Sequence, residues 1–171
     1  MMTTAVQASR QEPKAASAER YVTFLVAGEI YAVPALSVRE VIRWVPPARV
    51  PHAGPSVTGV INLRGEIVTV LDVRTRLDVP SAEPTDRTCI VVVTVQRGTV
   101  RHQAGLIVDT ALDVTRIALA DVQRRSDAAA SAEGHDVTGV ARTKAGLVMM
   151  LDVERLVLDG IGAAVAVEVG Q

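Results

Sequence analysis

The stretch Gly59–Val73, GVINLRGEIVTVLDV, is said twice by this chain: residues 139–153 read GVARTKAGLVMMLDV, 80 positions later. Gly59/Gly139, Val60/Val140, Val68/Val148, Leu71/Leu151, Asp72/Asp152 and Val73/Val153 are identical. Ile67/Leu147 and Val70/Met150 match in kind. Repetition at one spacing implies two units built on one supersecondary plan. Only the first copy carries Asn62-Leu63-Arg64-Gly65; the second has Arg142-Thr143-Lys144-Ala145 there. The framework is duplicated and the tip is not, so function is sought at the tip.

Working outward, Val57–Leu63 and Glu66–Leu71 alternate as strands around Arg64-Gly65, with Gly65 expected at the positive-φ position of a tight turn. Asp72 before V-R-T-R-L and Asp152 before V-E-R-L-V-L read as helix caps, because a carboxylate accepts from the free N–H groups of a first turn. The second helix is expected from Val153 to about Leu158. Upstream, Tyr21–Val26 and Ile30–Val33 predict a hairpin turned at Gly28. Pro34–Val38 predicts one helical turn, and Glu40–Val45 an extended segment. The prolines at 46, 47, 51 and 55 exclude regular structure up to Ser56. Downstream, Cys89–Val95 is a continuous apolar run, as in a strand buried on both faces. Val100–Val108 and Ala111–Ile117 follow as strands. Residues 1–19 read as a disordered tail, 80–86 as a linker and subdomain boundary, 123–135 as a low-complexity loop and 160–171 as a loosely attached tail. About ten short strands in two sets, each set ending in a helical turn, predict an all-β fold of two small barrels side by side.

Composition removes several classes of function. The 171 residues are 49% hydrophobic with a net charge of −1, which gives no electrostatic basis for nucleic-acid binding. Tyr21, Phe24, Tyr31 and Trp44 are the only aromatics, too few for a base-stacking platform. Cys89 is the only cysteine, which suits a reducing compartment. The N-terminus lacks the apolar stretch of a signal peptide, and no run of about 18 apolar residues is present. A cytoplasmic location without membrane insertion is expected.

Catalytic constellations are absent from the pattern. His52, His102 and His135 lack metal-ligand spacing. The segment at Gly54–Gly59 lacks the Lys-Ser/Thr of a phosphate loop, and Gly160-Ile161-Gly162-Ala163 follows no strand. Asp72 and Asp152 could form an acid/base dyad, but the capping preference of Asp favours two equivalent caps. Cys89 reads as a small hydrophobe. Arg64 is either a solvated turn charge or a recognition residue, since a guanidinium fits a partner carboxylate. Glu40 lies in the apolar segment Val38-Arg39-Glu40-Val41-Ile42, where it is either functional or on the wet side of a strand.

Taken in order, these segments resemble the chemotaxis coupling proteins, the CheW-like adaptors, over about residues 20–159. The resemblance is carried by Ile30-Tyr31-Ala32-Val33-Pro34, Val38-Arg39-Glu40-Val41-Ile42, Gly59-Val60-Ile61-Asn62-Leu63-Arg64-Gly65, Ile67–Arg74, Gly105–Asp109 with Asp113-Val114, and Leu151–Leu156. It implies two Src-homology-3-like five-stranded barrels sharing a core, with no catalysis and no cofactor. It implies a free-standing adaptor between the regulatory domain of the CheA histidine kinase and the cytoplasmic hairpin tip of chemoreceptors. It places Val38, Glu40, Gly59 and Arg64 at partner contacts, with Asn62 and Leu63 beside them. From a different class, a small-molecule-binding or enzymatic double barrel would use the groove between the barrels. The apolar segment Ala163–Val167 has no assignment.

Overall fold

A computed structural model describes residues 18–125 and 136–162. The expectations for residues 1–17, 126–135 and 163–171 fall outside the described residues. Eleven strands are described: β1 (Ala18–Val26), β2 (Glu29–Pro34), β3 (Val38–Arg43), β4 (Val57–Leu63), β5 (Glu66–Asp72), β6 (Cys89–Arg97), β7 (Val100–Val108), β8 (Thr110–Ala118), β9 (Val122–Arg124), β10 (Val137–Thr143) and β11 (Gly146–Leu151). Helix α1 (Val73–Arg76) follows β5, and α2 (Val153–Ile161) follows β11. Single 3-10 turns, Ala35–Ser37 and Leu119–Asp121, lead into β3 and β9.

The strands form a six-stranded sheet, β8-β1-β2-β11-β10-β9, and a five-stranded sheet, β3-β6-β7-β5-β4. Each curls around its own small core. Ile42, Ile61, Val68, Val70, Ile90, Val92 and Ile107 cluster inside the five-stranded sheet, drawing on all of its strands. Ala32, Ile117, Ala141, Val148 and Met150, with Tyr21, Ile30 and Val122, do the same in the other. Among the described residues neither barrel closes by backbone hydrogen bonds, and each sheet keeps two edges. A larger core lies between the sheets, from Phe24, Val26, Tyr31 and Val33 on one side to Leu71, Val91, Val93, Leu106 and Val108 on the other, with Leu156, Val157 and Ile161 of α2. The apolar run at Cys89–Val95 follows from this layering. Val91, Val93 and Val95 face the central core, while Ile90 and Val92 face the barrel interior.

The two copies are interleaved. The duplicated hairpins β4-β5 and β10-β11 sit in different sheets, and each is joined in parallel to a hairpin from the other half of the chain. β5 pairs with β7, and β11 with β2. The strands after those partner hairpins also change sheets, so β3 pairs with β6 and β8 with β1. The 80–86 segment therefore separates the sequence copies but not the barrels, since β5 and β6 on either side of it share a sheet. The chain crosses between sheets at Ala35–Ser37 and at Asp109.

The repeat also reaches further upstream than Gly59/Gly139. Both copies read Val-Thr-Gly, and both hairpins carry a bulge there, between Val57 and Gly59 and between Val137 and Gly139. Before the bulge, the Ser56 carbonyl accepts from Asp72 N–H, as the Asp136 carbonyl accepts from Asp152 N–H. Asp72 Oδ1 accepts from Arg74 N–H at 2.9 Å and Asp152 Oδ1 from Arg155 N–H at 3.1 Å, so both are helix caps.

Several boundaries differ from the sequence expectation: the extended segment expected at Glu40–Val45 is β3 at Val38–Arg43, and β9 takes Gln123 and Arg124 out of the expected loop. β1 begins at Ala18, inside the expected tail, because Ala18 and Glu19 pair with Ala118 and Ile117. Helix α2 runs past Leu158 to Ile161, and Gly160 and Ile161 are buried. A Cβ at Gly160 would stand 3.0 Å from Leu71 Cδ1, so glycine there permits close packing on β5. Cys89 is half-buried against the central core, as a small hydrophobe, and its thiol donates to the Arg87 carbonyl.

Candidate functional site

The β4-β5 turn is the tight connection at Arg64-Gly65 that the sequence predicts, and the left-handed backbone extends to Arg64 as well. Arg64 and Gly65 both have positive φ, 52° and 88°. That pair of values makes a two-residue hairpin turn whose twist matches its strands. Asn62 Oδ1 accepts from Gly65 N–H at 2.8 Å and holds the turn shut. In the second copy, Thr143 Oγ1 does this work for Ala145, and the positive φ passes to Gly146. The tips thus differ in conformation as well as in composition.

Arg64 reaches from this turn to Glu40 on β3, donating from Nη2 to Oε1. β3 and β4 are opposite edges of the sheet. The ion pair therefore ties the two rims of the open barrel where backbone hydrogen bonds do not. Glu40 is not on the wet side of its strand. Along β3, Val38, Glu40 and Ile42 are half-buried, while Arg39, Val41 and Arg43 are exposed. The Glu40 side chain is 20% exposed against 62% for Arg64. Its second oxygen, Oε2, is shielded from solvent and has no hydrogen-bond partner among the described residues. The hydrogen bond from Arg64, with the charges of Arg64 and Arg39, outweighs burial and holds the Glu40 carboxyl below the ordinary glutamate range.

Three neighbours extend the cluster. Arg39 donates to Glu66 Oε1 at 2.9 Å and also to Gln103. Gln103 Nε2 donates to the same Glu66 oxygen at 2.9 Å. The hydrogen bond from Gln103, then that from Arg39, lowers the Glu66 carboxyl as well. Strands β3, β5 and β7 and the β4-β5 turn are thereby joined in one charged rim. Ile67 and Val41 are exposed on these same strands.

Of the residues singled out in sequence, the structure brings Glu40 and Arg64 into contact and sets Asn62 beside them. Leu63 packs against the barrel interior, and Val38 against the central core. Gly59 is buried five residues along β4, about 17 Å from Arg64 at strand spacing. A Cβ there would stand 2.2 Å from the Ala48 carbonyl oxygen, so glycine admits the Ala48 backbone, which bridges to Val60. Sequence reading missed Arg39, Glu66 and Gln103. Arg39 and Glu66 are the immediate neighbours of Glu40 and Gly65, and polar residues flanking two candidate positions were the available signal.

A groove between the sheets, where a small-molecule site would lie, is lined by Tyr21, Pro34, Thr94, Gln96, Thr138 and Asp152 among others. Asp152 is spent there on capping α2. Among the described residues no group of three or more His, Cys, Asp or Glu could hold a metal ion, and no helix is long and apolar enough to cross a membrane.

Two interleaved curled sheets that share a core and carry a single-copy charged rim define a β-rich scaffold. The model of the CheW-like domain family matches residues 20–159, and the chain belongs to that family of chemotaxis coupling proteins, which are non-catalytic scaffolds. It is 32% identical to a chemotaxis protein CheW from Rhizobium meliloti over 133 residues, covering 78% of this chain and 83% of that one. Over 105 residues it is 36% identical to a chemotaxis protein CheW from Bacillus subtilis, which covers 61% of this chain and 65% of the relative. Among solved structures, the scaffolding protein TtCheW from Thermoanaerobacter tengcongensis matches with a TM-score of 0.69 and 25% identity, over 78% of this chain and 88% of that one.

Proposed function

We propose that this chain works in the cytoplasm as a coupling adaptor that holds the cytoplasmic hairpin tip of a chemoreceptor and the regulatory domain of a CheA-type histidine kinase in one complex. The observation that carries this reading is the charged rim at Arg64 and Glu40, built on the first copy alone. The rim offers a guanidinium suited to planar carboxylate recognition, beside exposed Ile67 and Val41. Within the proposed contact region, Arg64, Asn62 and Glu40 supply polar groups. Val38, Leu63 and Gly59 set the shape of the barrel wall that carries them.

The test is co-sedimentation of the purified chain with a receptor cytoplasmic fragment and a kinase regulatory domain, separately and together. Retention of each partner, and of both in one complex, supports the adaptor. Retention of neither overturns it.

A further inference from the structure

The six-stranded sheet carries a second charged feature, remote in the strand order from the Arg64 rim. On β1 and its edge neighbour β8, Arg20 stands directly opposite Arg116. Both are exposed, and neither makes a salt bridge among the described residues. Like charges directly opposite across an antiparallel pair are destabilising. The pairs on either side in the same face are apolar: Ala18 with Ala118, and Val22 with Val114. Val114 is 56% exposed. β8 pairs only with β1, so its outer edge is open among the described residues.

We infer that the Arg20–Arg116 pair is a docking site for an acidic polypeptide segment of a partner protein. Two guanidinium groups about 5 Å apart at their Cβ atoms can hold one carboxylate between them or two side by side. The apolar pairs above and below ask for apolar residues flanking that carboxylate. The free edge of β8 can take an extended segment by strand addition. An acidic partner removes the repulsion that the folded chain otherwise carries, so charge complementarity selects it over a neutral or basic one.

The probe is a labelled extended heptapeptide, Thr-Val-Thr-Glu-Thr-Val-Thr, which puts Val two residues either side of Glu on one face. The same peptide with Lys for Glu is the control, and both are titrated by fluorescence anisotropy at low salt. Saturable binding of the Glu peptide alone is expected. Arg116→Glu and Arg20→Glu should each weaken it by about tenfold or more, and Arg97→Glu on the β6-β7 hairpin should not. Either reversal creates an Arg–Glu cross-strand pair, so it should raise the melting temperature slightly while weakening binding. Gain of stability with loss of binding is a signature that damage to the fold cannot produce. The inference is overturned if the peptide does not saturate, if both reversals bind as the parent does, or if anionic phosphatidylserine vesicles bind while the peptide does not.

Discussion

Replacing Arg76 with methionine should destabilise the whole fold, because one buried carboxylate depends on it. Asp136 is 1% exposed and opens the second copy. Arg76 is the last residue of α1, at the end of the first copy. Its Nε and Nη2 donate to the two Asp136 oxygens at 3.0 and 2.8 Å. The pair therefore staples the end of the five-stranded sheet to the start of β10 in the other. Asp159 on α2 stands farther off, at 3.9 Å, and is mostly exposed. Methionine keeps the aliphatic bulk of Arg76 and removes both donors. Breaking a buried ion pair from one side costs about 3–5 kcal/mol, since it strands the remaining charge. The Arg76 side chain is 21% exposed, and water reaching the site eases that penalty toward about 3 kcal/mol. For a chain of this size this is a fall of roughly 6–12 °C in melting temperature. Asp136→Ser installs the residue that the first copy carries at the equivalent position, Ser56. It should cost less, because the Arg76 head can turn to solvent. The double variant should recover most of the loss, giving a coupling of about 2 kcal/mol in a double-mutant cycle. Urea unfolding followed by circular dichroism measures all four proteins. A cost for Arg76→Met below about 0.5 kcal/mol, the level of an ordinary surface change, or additive effects in the cycle, would refute the staple.

Other outcomes follow from the same geometry. Asp72→Ala and Asp152→Ala should each cost about 1 kcal/mol as lost caps, read from denaturant midpoints, and a much larger effect on partner binding than on stability would contradict capping. Gly59→Ala should cost about 1–3 kcal/mol by overpacking, and more than Gly139→Ala, since the clash with Ala48 is at 2.2 Å and that with Gln123 at 2.8 Å. Equal midpoints for the two variants would oppose this. Glu40 and Glu66 should titrate below free glutamate in carbon-detected magnetic resonance, and Arg64→Ala should return Glu40 upward. Their folded pKa values are depressed, so the rim contributes stability above the ordinary glutamate pKa and loses it as pH falls through the folded values. A Glu40 midpoint unmoved by Arg64→Ala would rule the pair out in solution.

How much of this was legible in the sequence depends on the range of the interaction. The hairpins, the Asp72 and Asp152 caps and the doubly buried strand at Cys89–Val95 are local, written in alternation and turn residues. The exchange of strands between the sheets is not local. β5 can bury its apolar face against β2 or β7 equally well on pattern alone, and parallel pairing leaves no turn to mark it. The Val-Thr-Gly bulge was written in both copies, and it becomes meaningful once two residues are seen to oppose one. Asp136 was a readable exception, an acid where the first copy has Ser56, although its partner Arg76 is 60 residues away. Arg64 was found because its tip is unduplicated. That Glu40 meets it across the open barrel needed the curl of the sheet. Gly160 read as the end of order because helix propensity disfavours it, while close packing against Leu71 requires it.

The adaptor reading is tested most directly by titrating Arg64→Glu and the parent chain with the kinase regulatory domain and with the receptor tip in a calorimeter, alongside thermal melts. The variant loses the tie to Glu40 and sets a carboxylate beside it, so its melting transition should fall modestly, while its circular dichroism spectrum at the assay temperature stays that of the folded parent. Its affinity for at least one partner should fall by about tenfold or more, as expected when an interface guanidinium is reversed in sign. Unchanged affinity for both partners in a folded variant would contradict the account and leave Arg64 a solvated turn residue.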